Sequence, residues 1–262
     1  MKQKYQYIQC NILHNVINII LDRQKKKNAL NPNMILELIN VLNENKDNKS
    51  IRVVLISSSS DVFCAGADIE YLNKIRKYSF QQNLEDSKQL MSLFQLMLSY
   101  PKLIITKVTG AALGGGCGIM TASDIIFATS DSKFGYPEVK IGFTPALVSS
   151  FLIQRINIAN IKYLLLNGKT IDAKQGKEIG LINYLCENEN IDKKVNDFIK
   201  KFTKTTSPLS IANTKKILYS QLNLKEKLEE AAKFNAESRM NEDFKKGIKG
   251  FLDKQLINWN DI

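Results

Sequence analysis

Gly110-Ala111-Ala112-Leu113-Gly114-Gly115-Gly116-Cys117-Gly118 follows, after Thr109, the apolar run Leu103-Ile104-Ile105-Thr106-Lys107-Val108. The run reads as a buried strand, and the glycines as a tight turn into a helix reaching about Ser123. Asp124-Ile125-Ile126-Phe127-Ala128 then reads as the next strand. Strand, turn, helix and strand in alternation predict an α/β fold with right-handed crossovers.

The same order appears upstream. Val16 to Leu21 reads as a strand, and Asn31-Pro32 as a helix start with Asn at the N-cap. Leu30, Met34, Leu38 and Leu42, flanked by Ile35 and Ile39, form one apolar helix face. A strand over Ile51 to Ser57 leads into a second glycine loop, Phe63-Cys64-Ala65-Gly66-Ala67-Asp68. From Ile69 to Ser99 the pattern is helical and more polar, with Leu90, Phe94 and Met97 on its buried face; such a stretch can cover a site. Pro145 precedes an apolar helix over Ala146 to Ile156, and Asp172 caps a short helix ending at Gly180. From about Asp192 the chain reads as helical to Leu252, with Trp259 in the tail.

Composition narrows the function classes. The 262 residues suffice for a sizeable core, and no run approaches the ~18 apolar residues of a membrane helix. The start, Met1 to Tyr7, lacks the apolar stretch of a signal peptide, so a cytoplasmic protein is expected. Cys10, Cys64, Cys117 and Cys186 show no metal spacing, and one histidine, His14, excludes a multi-histidine zinc site. No metal and no redox cofactor is expected. The formal charge of +11 is spread over scattered lysines such as Lys25-Lys26-Lys27 and Lys193-Lys194, not gathered in one stripe. Nucleic acid is therefore not expected as the partner.

Glycine turns after strands have two common uses. A dinucleotide fingerprint needs G-x-G-x-x-G followed by an acidic residue ~20 positions on, and Gly114 to Gly118 fits it poorly. A phosphate-loop lysine is also missing. The other use is an oxyanion hole, in which backbone N–H groups and a helix N-terminus meet developing negative charge. Two such loops in one chain point to that second use.

Several stretches in order resemble the crotonase (enoyl-CoA hydratase/isomerase) superfamily. These are Lys27-Asn28-Ala29-Leu30-Asn31, Phe63 to Asp68, Gly110 to Cys117, Phe134-Gly135-Tyr136-Pro137-Glu138-Val139-Lys140-Ile141-Gly142, and, near the end, Asn235 to Arg239 with Glu242 to Leu252. The resemblance implies a spiral of ββα turns over residues 1–200 and a helical C-terminal region, 201–262, used in a homotrimer or a dimer of trimers. It implies an acyl-CoA thioester as substrate, with coenzyme A as part of that substrate and not a cofactor. The N–H groups of Ala67 and Gly115 are then expected to hold the thioester oxygen, with Ala29, Ala65, Asp68, Ile69 and Glu70 along the substrate path. Arg23 and Lys27 are expected to meet the coenzyme A phosphates.

Family hydratases commonly use two glutamates. Glu138 matches one, and Gly118 stands where the other falls. A positioned carboxylate beside an enolate moves protons, which glycine cannot do. Three readings follow: a hydratase with Glu138 as its one carboxylate, an enoyl-CoA isomerase shuttling one proton, or a second group supplied by Glu85, Asp86 or Thr144. The segment Ile141 to Ala146 resembles members acting on branched or carboxylated acyl groups. A binding protein that lost catalysis is the reading outside enzymes.

Overall fold

A computed structural model describes residues 5–255 and 257–260. Strands β1 (Ile8–Leu13) and β2 (Val16–Leu21) form an antiparallel hairpin, turned by His14 and Asn15, both at positive φ. Left-handed backbone at two consecutive turn residues matches the twist of the paired strands. Helix α1 (Pro32–Asn45) follows, with the Asn31 side chain accepting from Met34 N at 2.8 Å as expected. Strand β3 (Val53–Ser58) leads to α2 (Ile69–Ile75) and α3 (Phe80–Leu98). The single helical stretch expected between Ile69 and Ser99 is thus two helices. Ser79 starts the second with a capping box closed by Gln82, which satisfies donors that a continuous helix would not expose.

Next come β4 (Leu103–Val108), β5 (Ala111–Leu113), α4 (Gly115–Thr121) and β6 (Ile125–Thr129). Strand β7 (Lys133–Gly135) enters a 3-10 turn over Pro137–Ile141. Helices α5 (Ala146–Leu152) and α6 (Ile158–Asn167), strand β8 (Thr170–Asp172), α7 (Ala173–Glu178) and β9 (Tyr184–Cys186) complete the α/β part. The end is helical: α8 (Ile191–Thr205), α9 (Pro208–Gln221), α10 (Leu224–Ser238) and α11 (Glu242–Leu252).

The main sheet runs β1-β2-β3-β4-β6-β9, parallel from β2 onward. Both faces are covered, which is why β4 reads as a nearly unbroken apolar run. Alternate residues point to opposite faces. Val54, Ile56 and Ile104 join the large core under α1 and α3, while Val53, Leu103 and Ile105 meet Ile191, Val195 and Ile199 of α8. A smaller sheet, β5-β7-β8, lies beyond the strand ends. Two single bridges, Cys64 to Ala112 and Leu30 to Ala67, sew three successive strand exits side by side. Cys64 N donates to Ala111 O at 3.0 Å, and Leu30 N to Gly66 O at 2.7 Å.

Helix α11 closes back on the 137–141 turn through two glycines. A Cβ at Gly247 would sit 2.1 Å from the Ile141 carbonyl oxygen, and one at Gly142 would sit 2.3 Å from that of Asp243. Backbone carbonyls cannot rotate aside as side-chain ends do. Gly247→Ala should therefore push α11 off the turn and lower stability by at least about 1–3 kcal/mol, the cost of overpacking. Thermal melting and limited proteolysis near residue 247 check this; an unchanged melting temperature contradicts it. No helix among the described residues is long and apolar enough to cross a membrane.

Candidate active site

The three strand exits meet at a cavity of about 370 Å³. Ala65, Gly66, Ala67, Gly114, Gly115 and Glu138 line one wall. Apolar side chains, including Leu30, Leu72, Ile75, Leu90, Phe94, Leu147 and Val148, make most of the remainder.

The two glycine loops pass within contact distance of each other. A Cβ on Gly66, at φ +95°, would lie 3.1 Å from Leu113 O and 3.8 Å from Gly114 Cα. Gly114 takes φ +51° and ψ −125°, and its N–H donates to Gly135 O at 2.9 Å. The first bond of α4 then runs from Gly118 N to Gly114 O at 2.9 Å. The N–H groups of Gly115, Gly116 and Cys117 precede it and have no intrahelical acceptor. Gly116 is packed on Cys64, where a Cβ would come within 2.5 Å of Cys64 Cβ. Gly115 instead faces the cavity. In the other loop, Leu30 pairs through Gly66 O and Asp68 N, and the intervening Ala67 N–H donates to no protein acceptor among the described residues. Two unoccupied donors thus border one cavity.

Glu138 sits in the first turn of the 3-10 segment, after Pro137. Phe143 N donates to its carbonyl at 3.0 Å, and Gly142 ends the turn in the left-handed region. Its side chain is buried. A Cβ on Gly114 would lie 3.3 Å from Glu138 Oε1, and Oε2 has no hydrogen-bond partner. Burial pushes the carboxyl from its ordinary 4.5 up to about 7, because the charged form loses water and gains little in return. An orphaned, buried carboxyl oxygen in a cavity is the mark of a group with work to do on a ligand. If Glu138 works as a base, activity should rise with pH through about 7. A kcat/KM profile flat across that range would contradict it.

Gly118 is the departure noted in the sequence, and its surroundings give a physical reason. A Cβ there would lie 2.7 Å from Phe94 Cζ and 3.0 Å from Val148 Cγ1. The room for a second carboxylate is filled by hydrocarbon. Of the substitutes weighed, Glu85 lines only a surface cleft and Thr144 a separate one. Asp86 does line the cavity, but Arg239 Nη1 holds its Oδ2 at 2.5 Å and the Tyr71 hydroxyl donates to its Oδ1.

The remaining expected substrate contacts lie outside the cavity. Arg23, Asp68 and Glu70 line an adjoining surface cleft that shares Asn31, Tyr71 and Asp86 with it. Arg23 pairs with Asp68 at 2.5 Å and donates to Ala29 O at 2.8 Å, so its charge is already engaged. Asp68 also caps α2 by accepting from Tyr71 N at 3.1 Å. Ala29 is buried, whereas Lys27 and Ile69 are exposed.

The sequence reading missed the cluster of Tyr71, Asp86, Asn235 and Arg239. One signal was present: Asp86 falls four residues before Leu90 and eight before Phe94, placing a charge on the apolar face of α3.

The sequence profile described as enoyl-CoA hydratase/isomerase matches residues 11–262. A putative enoyl-CoA hydratase from Thermus thermophilus is 31% identical over 239 residues, 90% of this chain and 94% of that one. A probable enoyl-CoA hydratase from Bacillus subtilis is 30% identical, covering 87% and 89%. The crystal structure of an enoyl-CoA hydratase from Shewanella pealeana superposes with a TM-score of 0.80 at 30% identity, over 98% of this chain and 97% of that one.

Proposed function

We propose that this chain, which belongs to the enoyl-CoA hydratase/isomerase family, adds water across the 2,3 double bond of an acyl-CoA thioester. The observation that carries the reading is the unpartnered Glu138 Oε2 in a cavity that Ala67 and Gly115 also line. Glu138 takes a proton from water as the oxygen bonds to the β carbon. The π electrons move to the thioester oxygen, where the Ala67 and Gly115 N–H groups stabilise the enolate. Glu138 then returns its proton to the α carbon, so one water is added and the enzyme is regenerated. Since Asp68 holds Arg23, the coenzyme A phosphates are expected at Lys74 of the adjoining cleft, with Lys27 nearby in sequence. Exposed Leu209, Ile217, Leu218 and Phe234 on the C-terminal helices support assembly into a trimer or a dimer of trimers.

The filled space at Gly118 favours a second reading, isomerisation, in which one carboxylate suffices. Glu138 would take the α proton of a 3-enoyl thioester and return it at the γ carbon. Incubating 2-enoyl and 3-enoyl thioesters in isotopically labelled water separates the two. Label fixed as a β-hydroxyl supports hydration; a shifted double bond with no oxygen uptake replaces it with isomerisation. Binding without turnover of any thioester overturns both.

A further inference from the structure

We propose that the cluster of Tyr71, Asp86, Asn235 and Arg239 selects acyl groups whose far end carries a carboxylate. The inference rests on the acyl-CoA reading above and names the substrate class of that cavity. Arg239 is 5% exposed and Asn235 4%, yet both line the cavity, whose other walls are largely hydrocarbon. The carboxyl and amide oxygens of the cluster already have donors. Asp86 Oδ2 receives Arg239 Nη1, Asp86 Oδ1 receives the Tyr71 hydroxyl, and Asn235 Oδ1 receives Ser87 Oγ at 2.8 Å. The buried group left without a partner is a donor. Arg239 Nε is buried with no partner, and a guanidinium has only donors to offer. The Asn235 amide nitrogen is a further donor. Phe143 lies against the guanidinium, 5.4 Å from ring centroid to Cζ, and holds its plane.

A carboxylate is the complementary group, since it only accepts. Charge agrees. Asp86 and Arg239 cancel, and Lys140, which also lines the cavity, has no ion-pair partner among the described residues. With Glu138 ionised, as its role as base requires, Lys140 balances it, so the wall faces a ligand carboxylate with no net negative charge. A methyl-ended chain would leave the buried Arg239 Nε unsatisfied, the situation in which polar pockets discriminate most strongly against analogues.

The test uses calorimetry on the full chain with saturated acyl-CoAs in pairs matched in length, one methyl-ended and one ending in a carboxylate. Saturated thioesters cannot be hydrated, so the result does not depend on turnover. For at least one length, wild-type protein should bind the carboxylate-ended member about tenfold tighter or more. In Arg239→Leu that ratio should fall to near one, and in Arg239→Lys it should be intermediate. Equal or reversed affinities in wild-type protein at every length overturn the proposal, and that comparison requires no variant to fold. A ratio preserved in folded Arg239→Leu overturns it as well. Carboxylate preference without turnover of the unsaturated counterparts would remove the hydratase reading and keep this one.

Discussion

Glu138→Gln should lower turnover of an enoyl thioester by about two to four orders of magnitude, the usual worth of a positioned acid–base group. The amide keeps the shape and most of the packing but cannot carry the proton. The same substitution should raise stability at alkaline pH. Glu138 has its carboxyl raised from 4.5 to about 7 by burial, so the folded state holds a proton that the unfolded chain releases. Its neutral form therefore costs nothing extra below about 4.5. Between there and about 7 the protein loses stability as pH rises, reaching a deficit of roughly 3 kcal/mol. Glutamine has no charge to desolvate and avoids that deficit. Melting curves at pH 5 and pH 8 test the sign. Wild-type protein should lose ground to the variant at the higher pH, and equal pH dependence in the two would show that Glu138 does not titrate as described.

Gly115→Pro should remove one donor of the proposed oxyanion pair and cost about a hundred- to a thousandfold in kcat, the usual worth of an oxyanion donor. Backbone donors are rarely open to mutagenesis, but this one is favourably placed. Gly115 is the first residue of α4, where proline is tolerated because the N–H has no intrahelical acceptor. Gly114 before it lacks a Cβ to clash with the proline ring, and the nearest atom to a Cβ on Gly115 is the flexible Leu30 Cδ1 at 3.0 Å. Gly115→Ala controls for the added Cβ, because it places that atom against Leu30 and retains the N–H. Equal loss in both assigns the effect to crowding by Cβ; loss in the proline variant with acyl-CoA affinity retained identifies the donor.

The parts of this protein legible in the sequence are those where local chemistry and tertiary context agree. Strand β4 is buried on both faces and reads as an apolar run; Asn31-Pro32 starts a helix through a cap that needs no partner beyond Met34. The β1 strand was harder, since its outer end is exposed and a His-Asn pair is a weak turn signal. The three-residue strands β5, β7 and β8 are set by loop pairing at a distance, not by their own composition. Within the site, the two loops and Glu138 were legible because each is a contiguous motif. Asp86 and Arg239 lie 153 residues apart, and nothing local announces that helix α3 and the end of α10 bring them together. The loss of room at Gly118 was equally hidden, because it depends on where Phe94 projects.

That contact between Phe94 and Gly118 constrains what descendants of this chain can become. A glutamate introduced at residue 118 alone meets an aromatic ring at its first side-chain atom. Shortening Phe94 alone opens a void in the packing with no chemical return. Each step by itself is a loss, and only both together make room for a second carboxylate. A second carboxylate at this position is therefore reached only through paired changes at residues 94 and 118.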